Sequence, residues 1–208
     1  MSTVLIRAIA YCVPVTIWIV WRRKTSASVF PLLLGMAAYI IISLLRGVAR
    51  GVVFSDSLKS VPLLFYFVSA LLSGVFEEVG RFVVFRHTIV DSWVDCVSYG
   101  IGHVSIELIL THDASQDDIY DSLIGNYYFA TGIAFSVAMS ALVYIAANYA
   151  DSKKFLAAAI GIHTFLDFIA AGYFLGAFSA GELDFIDLLF TIGVCYFSYR
   201  MYKHFSEY

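Results

Sequence analysis

Long apolar stretches alternate along the chain with short polar breaks. Seven such runs can be marked, at roughly 4–21, 29–45, 61–86, 93–111, 127–149, 154–178 and 185–202. Each is close to the ~17–25 residues that a bilayer-crossing helix needs. In hydrocarbon a spanning segment has to satisfy its backbone hydrogen bonds internally, so runs of this length predict helices. The expected fold is all-α: a polytopic transmembrane helical bundle of about seven spans, forming a single domain over residues 1–208 without internal repeats. Between the second and third runs, segment 46–60 holds Arg46, Arg50, Asp56 and Lys59 and reads as a loop or short interfacial helix. The longest break, 112–126, carries Asp113, Asp117, Asp118 and Asp121 and is strongly acidic.

Composition narrows the class. Apolar residues make up 61% of the 208 positions and charged residues only 14%, against about 25% charged in an ordinary soluble domain. A compact globule of this size leaves too much of its area wet to hide so many apolar side chains. A soluble enzyme, a nucleic-acid-binding module and a disordered chain are therefore excluded. The three cysteines, Cys12, Cys96 and Cys195, are few and widely spaced inside apolar runs, which argues against a disulfide framework or a cysteine zinc site. The first run is followed, not preceded, by Arg22, Arg23 and Lys24. That order fits a retained span rather than a secretory signal.

Lys and Arg placement orients the bundle. With the N-terminus outside, Arg22, Arg23, Lys24, Arg81, Arg86, Lys153, Lys154, Arg200 and Lys203 lie inside, against Arg7, Arg46, Arg50 and Lys59 on the other side. The expected topology is N-out and C-in, with the acidic break and the Glu182/Asp184/Asp187 turn outside. Trp18, Trp21, Trp93, Tyr127, Tyr128, Tyr149, Tyr199 and Tyr202 fall near the proposed ends, as interfacial belts do. The expected location is an integral multi-pass protein of the cell (plasma) membrane, its partners being the lipid bilayer and a peptide or protein substrate, with no nucleic acid.

Candidate chemistry comes from polar groups that are expensive in a membrane interior. Three clusters stand out: Glu77-Glu78-x-x-Arg81, Gly100-x-Gly102-His103-x-x-x-Glu107, and His163-x-x-x-Asp167. Adjacent carboxylates point about 100° apart on a helix, so Glu78 can pair with Arg81 at i,i+3 and leave Glu77 free. His103/Glu107 and His163/Asp167 are i,i+4 pairs that each share a face, and the two glycines before His103 permit close helix approach. Counted from their inner ends, Glu77, His103 and His163 all lie about 15 Å deep, near mid-bilayer. Three polar clusters at one depth predict one cavity. A carboxylate with two imidazoles suits water activation, with Glu77 as general base. His103, Glu107, His163 and Asp167 form a candidate N/O ligand set for zinc with an open position. A proton- or cation-coupled carrier, a haem protein using His103 and His163, and a non-catalytic scaffold are the competing readings.

The order EE-x-x-R, G-x-G-H-x-x-x-E, H-x-x-x-D, each motif on a separate apolar helix, resembles the YhfC-type intramembrane metalloproteases. More distantly it is similar to the CAAX-prenyl protease and bacteriocin-processing superfamily and to PrsW-like proteases. The resemblance runs from Glu77 to Asp167. It implies an intramembrane endopeptidase acting on a membrane-associated or lipidated peptide, zinc-assisted or not. Glu77 and His103 would activate water, His163 and Asp167 would line the oxyanion side, and Glu78 with Arg81 would support the helices. The superfamily's usual first motif spaces its arginine one residue further, and this chain carries Asp167 where the prenyl-protein proteases carry asparagine. An ionised Asp167 would repel an oxyanion, which favours a protonated carboxyl or a ligand role.

Overall fold

The computed structural model describes residues 3–88, 90–111, 119–149 and 153–206, except for the side chains of 3–11, 111, 119–129 and 206. The acidic segment 112–118 and the side chains of Arg7, Asp121, Tyr127 and Tyr128 thus lie outside the description. The described residues are helical: α1 (Thr3–Thr25), α2 (Val29–Val53), α3 (Asp56–Lys59), α4 (Pro62–His87), α5 (Trp93–Thr111), α6 (Ile119–Asn148), α7 (Lys154–Phe174) and α8 (Ala180–Ser206). Each of the seven long helices overlaps one of the seven apolar runs, but α6 begins at Ile119, eight residues before its expected run and inside the break expected to be a loop. Among the described residues, α2, α4, residues Ala130–Asn148 of α6, and α7 are long and apolar enough to cross a membrane.

Local chemistry sets the helix starts. Ser28 caps α2 by accepting from the Phe30 N–H (3.2 Å), and Pro62 opens α4 where no N–H is needed. Ser179 and Glu182 form a reciprocal capping box at α8, with Glu182 Oε2 accepting from the Ser179 N–H (2.9 Å) and hydroxyl (2.8 Å). Those two donors hold the exposed Glu182 carboxyl below its ordinary range.

The helix ends differ from expectation at one consequential place. α2 does not stop near residue 45; it continues two further turns to Val53, so Arg46 and Arg50 are helical and not part of a loop. The physical reason is that both arginines find acceptors on α4. Between them only α3, a single turn, occupies the expected interfacial segment.

α6 is the hub, packing against α1, α4, α5, α7 and α8, while α2 lies across α5 and α4. Met139, Ala141, Leu142, Val143 and Ile145 of α6 are wholly buried. α2 turns Ile40, Ile41, Leu44, Leu45, Val48 and Val52 outward, the pattern of a lipid-facing helix, for which an apolar exterior carries no penalty. At one end of the bundle Trp21 Nε1 donates to the Val94 carbonyl (3.4 Å), Arg86 to the Ala147 carbonyl (2.8 Å), and Trp93 stacks on Tyr202 (3.9 Å). The basic residues assigned to the inside gather at this end. Arg81 does not: it is buried in the interior, 1% exposed. Arg46, counted on the opposite side, is likewise turned inward, so removing both takes one charge from each set and leaves the asymmetry intact.

The α2–α5 crossing is made by glycines on both sides. A Cβ on Gly35 would run into the Tyr99 carbonyl and stand 2.9 Å from the His103 nitrogen. A Cβ on Gly102 would strike the Leu32 carbonyl of α2. The neighbour in each case is backbone, which cannot rotate aside. Gly100, on the opposite face of α5, meets α6 at Ser136 and Val137. Both glycines ahead of His103 therefore allow close approach, each toward a different helix. We expect Gly102→Val to destabilise the fold by about 1–3 kcal/mol or more, as overpacking does. Thermal melting in detergent checks this, and a wild-type melting temperature would contradict the tight crossing.

Candidate active site

α4, α5 and α7 bring the three polar clusters together. Glu77, Glu78, Arg81 and His103 are at most 1% exposed, and His163 is 7% exposed. His103 Nε2 lies 3.4 Å from Glu77 Oε2, and His163 Nε2 lies 3.8 Å from that same oxygen. One carboxylate oxygen is thus faced by two imidazoles from two other helices. Such burial is costly for ionisable groups unless they are mutually paired.

The pairing is denser than the spacing of the motifs alone suggests. Arg81 Nη1 reaches both oxygens of Glu78, at 3.2 and 3.0 Å, the expected i,i+3 pair. Glu78 does more than neutralise Arg81: its Oε1 accepts from His163 Nδ1 at 2.6 Å. This fixes the ring of His163 and turns its Nε2 toward Glu77. Glu77, expected to be free, is not. Its Oε1 is held by Nη1 of Arg46 from α2, which also donates to the Ser73 hydroxyl at 2.6 Å. Asp167 sits 3.8 Å from His163 Nε2. That is beyond hydrogen-bond reach, so Glu78, not Asp167, orients the imidazole.

Part of this cluster walls a cavity of about 190 Å³. Glu77 and Arg81 come from α4, Glu107 from α5, Thr131 and Ser136 from α6, His163 and Asp167 from α7. α8 adds Asp187, which the sequence reading placed in an outer turn and which stands two turns inside the helix. Val104, Leu108, Phe135 and Leu166 supply the apolar wall. Ser105 returns its hydroxyl to the Ile101 carbonyl in its own helix, so it is not poised as a nucleophile.

The profile of the YhfC intramembrane metalloprotease family matches residues 9–116. The chain belongs to this family. The match takes in Arg46, Glu77, Glu78, Arg81, His103 and Glu107, and it includes α1 from residue 9 onward and all of α2, which the motif resemblance left out. His163, Asp167 and Asp187 lie beyond it. Among curated proteins, the chain is 30% identical over 115 residues to an uncharacterized membrane protein YhfC of Bacillus subtilis (strain 168), over 50% of this chain and 43% of that protein. The chain thus spans under half of that relative's length. No solved structure matches. Membership in the YhfC family and the apolar helices make this an integral multi-pass membrane protein.

The family's description implies a metal, and the residues fit one. Ligand atoms of Glu77, His103 and Glu107 lie within 4.8 Å of one another. This group shares His103 and Glu107 with the predicted ligand set and places Glu77 where His163 and Asp167 were expected. The His163 ring, with Nδ1 given to a carboxylate and Nε2 turned to the site, has the arrangement that metal-binding imidazoles show.

Sequence reasoning missed Arg46 and Asp187. The signal for Arg46 was present: Arg46 and Arg50 are spaced i,i+4, and Ser69, Ser73 and Glu77 are spaced i, i+4, i+8, so one polar stripe faces another. For Asp187 no local signal distinguishes it from the acidic residues just before it.

Proposed function

We propose that this protein is an intramembrane endopeptidase that hydrolyses a peptide bond of a membrane-associated substrate, with Glu77 as the base that activates water. The observation that carries the reading is the single Glu77 oxygen, Oε2, set between His103 Nε2 and His163 Nε2 at 3.4 and 3.8 Å on the wall of a cavity. Water between such groups can hand its proton to the carboxylate as it attacks a carbonyl.

Two members of the Glu77/His103/Glu107 group, His103 and Glu107, together with His163, would hold a zinc ion and leave a position open, while Glu77 stays out of the ligand set as the base. When bound, the ion supplies Lewis acidity toward water and carbonyl oxygen. The chain's own residues do the rest. Glu77 Oε2 accepts the proton of the attacking water and delivers it to the leaving amine. As a ligand His163 would be neutral, with its Nδ1 proton toward Glu78 and its Nε2 lone pair toward the site. Arg81 balances the charge of Glu78 and lines the cavity. The apolar wall keeps lipid and bulk water from the reacting atoms.

The test uses the purified full chain in liposomes with single-span model peptides, and mass spectrometry to detect cleavage. Cleavage is expected, lost with 1,10-phenanthroline and restored by zinc. His103→Ala and His163→Ala are expected to lower it by roughly 100-fold or more, within the range removal of an acid–base or ligand group produces. Wild-type cleavage in either variant, or cleavage indifferent to the chelator, would overturn the assignment.

A further inference from the structure

A carboxylate base beside a metal ion has a competing fate: closing on the metal with both oxygens. We infer that Arg46 decides between the two, holding Glu77 as a base and keeping it from full coordination; the inference rests on the reading above. Arg46 is a positioning residue here, since it touches Glu77 and not the substrate.

Two facing ladders build the arrangement. α2 and α4 run antiparallel; Arg50 Nη2 donates to the Ser69 hydroxyl at 3.1 Å, and four residues earlier Arg46 Nη1 donates to the Ser73 hydroxyl at 2.6 Å and to Glu77 Oε1. Ser73 is buried, and the Arg46 side chain is only 12% exposed. Arg46 is thus anchored at two acceptors one helical turn apart on α4. A guanidinium is permanently charged and its donors are fixed in a plane, so it sets the rotation of the carboxylate it binds. It takes Oε1 and leaves Oε2 facing both imidazoles.

The same guanidinium repels a dication in the cavity through Coulomb's law. Arg46 therefore has two effects of opposite sign: it supports the base and weakens the hold on metal. Damage to the fold would lower both activity and metal affinity. Loss of the positioning contact lowers one and raises the other, because Glu77 is released to coordinate through two oxygens.

The experiment titrates zinc alone into the metal-free full-length protein in detergent, against a competing chelator, and follows peptide cleavage in parallel. Arg46→Met is expected to bind zinc about 10-fold more tightly while kcat falls by about 100-fold and KM stays within roughly 3-fold, the signature of an interaction made in the transition state. Arg46→Lys keeps the charge without the planar fork and is expected to fall between. Ser73→Ala, which loosens the anchor, shifts both quantities in the same directions by less. Wild-type kcat in Arg46→Met overturns the inference, as does a kcat loss accompanied by weaker zinc binding, or active wild-type protein that takes up no zinc. If Arg46→Met does not fold, Arg46→Lys and Ser73→Ala decide by the same two readouts. Tighter zinc binding in the variants of a protein that cleaves no peptide would uphold Arg46 as the brake on coordination and reject the hydrolytic reading instead.

Discussion

Glu77→Gln is expected to lower peptide cleavage by about 10²–10⁴-fold, the contribution of a positioned general base. The substitution preserves size and shape and removes the proton acceptor. Its second effect is electrostatic. Arg46 would be left facing a neutral amide within a largely buried ladder, and an uncompensated buried charge is costly. A lowered melting temperature should therefore accompany the kinetic loss. The two effects separate in the double variant Arg46→Met/Glu77→Gln. Neutralising both partners should restore much of the stability and none of the cleavage. Cleavage at the wild-type rate in folded Glu77→Gln would end the proposal that this carboxylate is the base.

The second large effect is expected at Glu78 and Arg81. Both are essentially inaccessible, and the pair is closed by two contacts from one guanidinium nitrogen. Removing either partner alone leaves a buried unpaired charge, at a cost of about 3–5 kcal/mol. Arg81→Met is expected to show this loss as poor expression or early thermal unfolding. The double variant Glu78→Met/Arg81→Met removes both charges at similar volume, and such replacements of buried pairs are often neutral in stability. Its melting temperature should return toward wild type. Its cleavage should not, because His163 would have lost the carboxylate that fixes its Nδ1 proton and ring direction. Recovery of both would show that Glu78 serves stability alone. Recovery of neither would show that the pair specifies the helix arrangement.

Much of the fold was legible because hydrocarbon imposes a simple rule: a helix that spans it must be apolar for about twenty residues. The runs beginning at Val29, Val61 and Lys154 needed no tertiary information. The site was legible for the converse reason. Glu77, His103 and His163 sit where ionisable groups are expensive, and three such clusters at one depth imply a shared cavity. What escaped the sequence was anything decided between helices. Arg46 looked like the charge that ends a span, since an arginine there ordinarily reaches the aqueous interface. Its true partners, Ser73 and Glu77, are 27 and 31 residues away in sequence. Glu78 looked like a half of one salt bridge, and its bond to His163 spans 85 residues. Asp187 shows the same limit: its place in the wall depends on how α8 is seated on α6.

The narrow chamber has a further implication for what it can accept. At about 190 Å³ it has room for a side chain and a few waters, whereas an intact α-helix is about 10–12 Å across. On the proposed reading, a bilayer-spanning substrate cannot be cut while coiled. It has to fray locally and thread an extended segment past the glutamate. Discrimination among potential substrates would then lie in how readily a segment unwinds, with side-chain identity at the cut bond secondary.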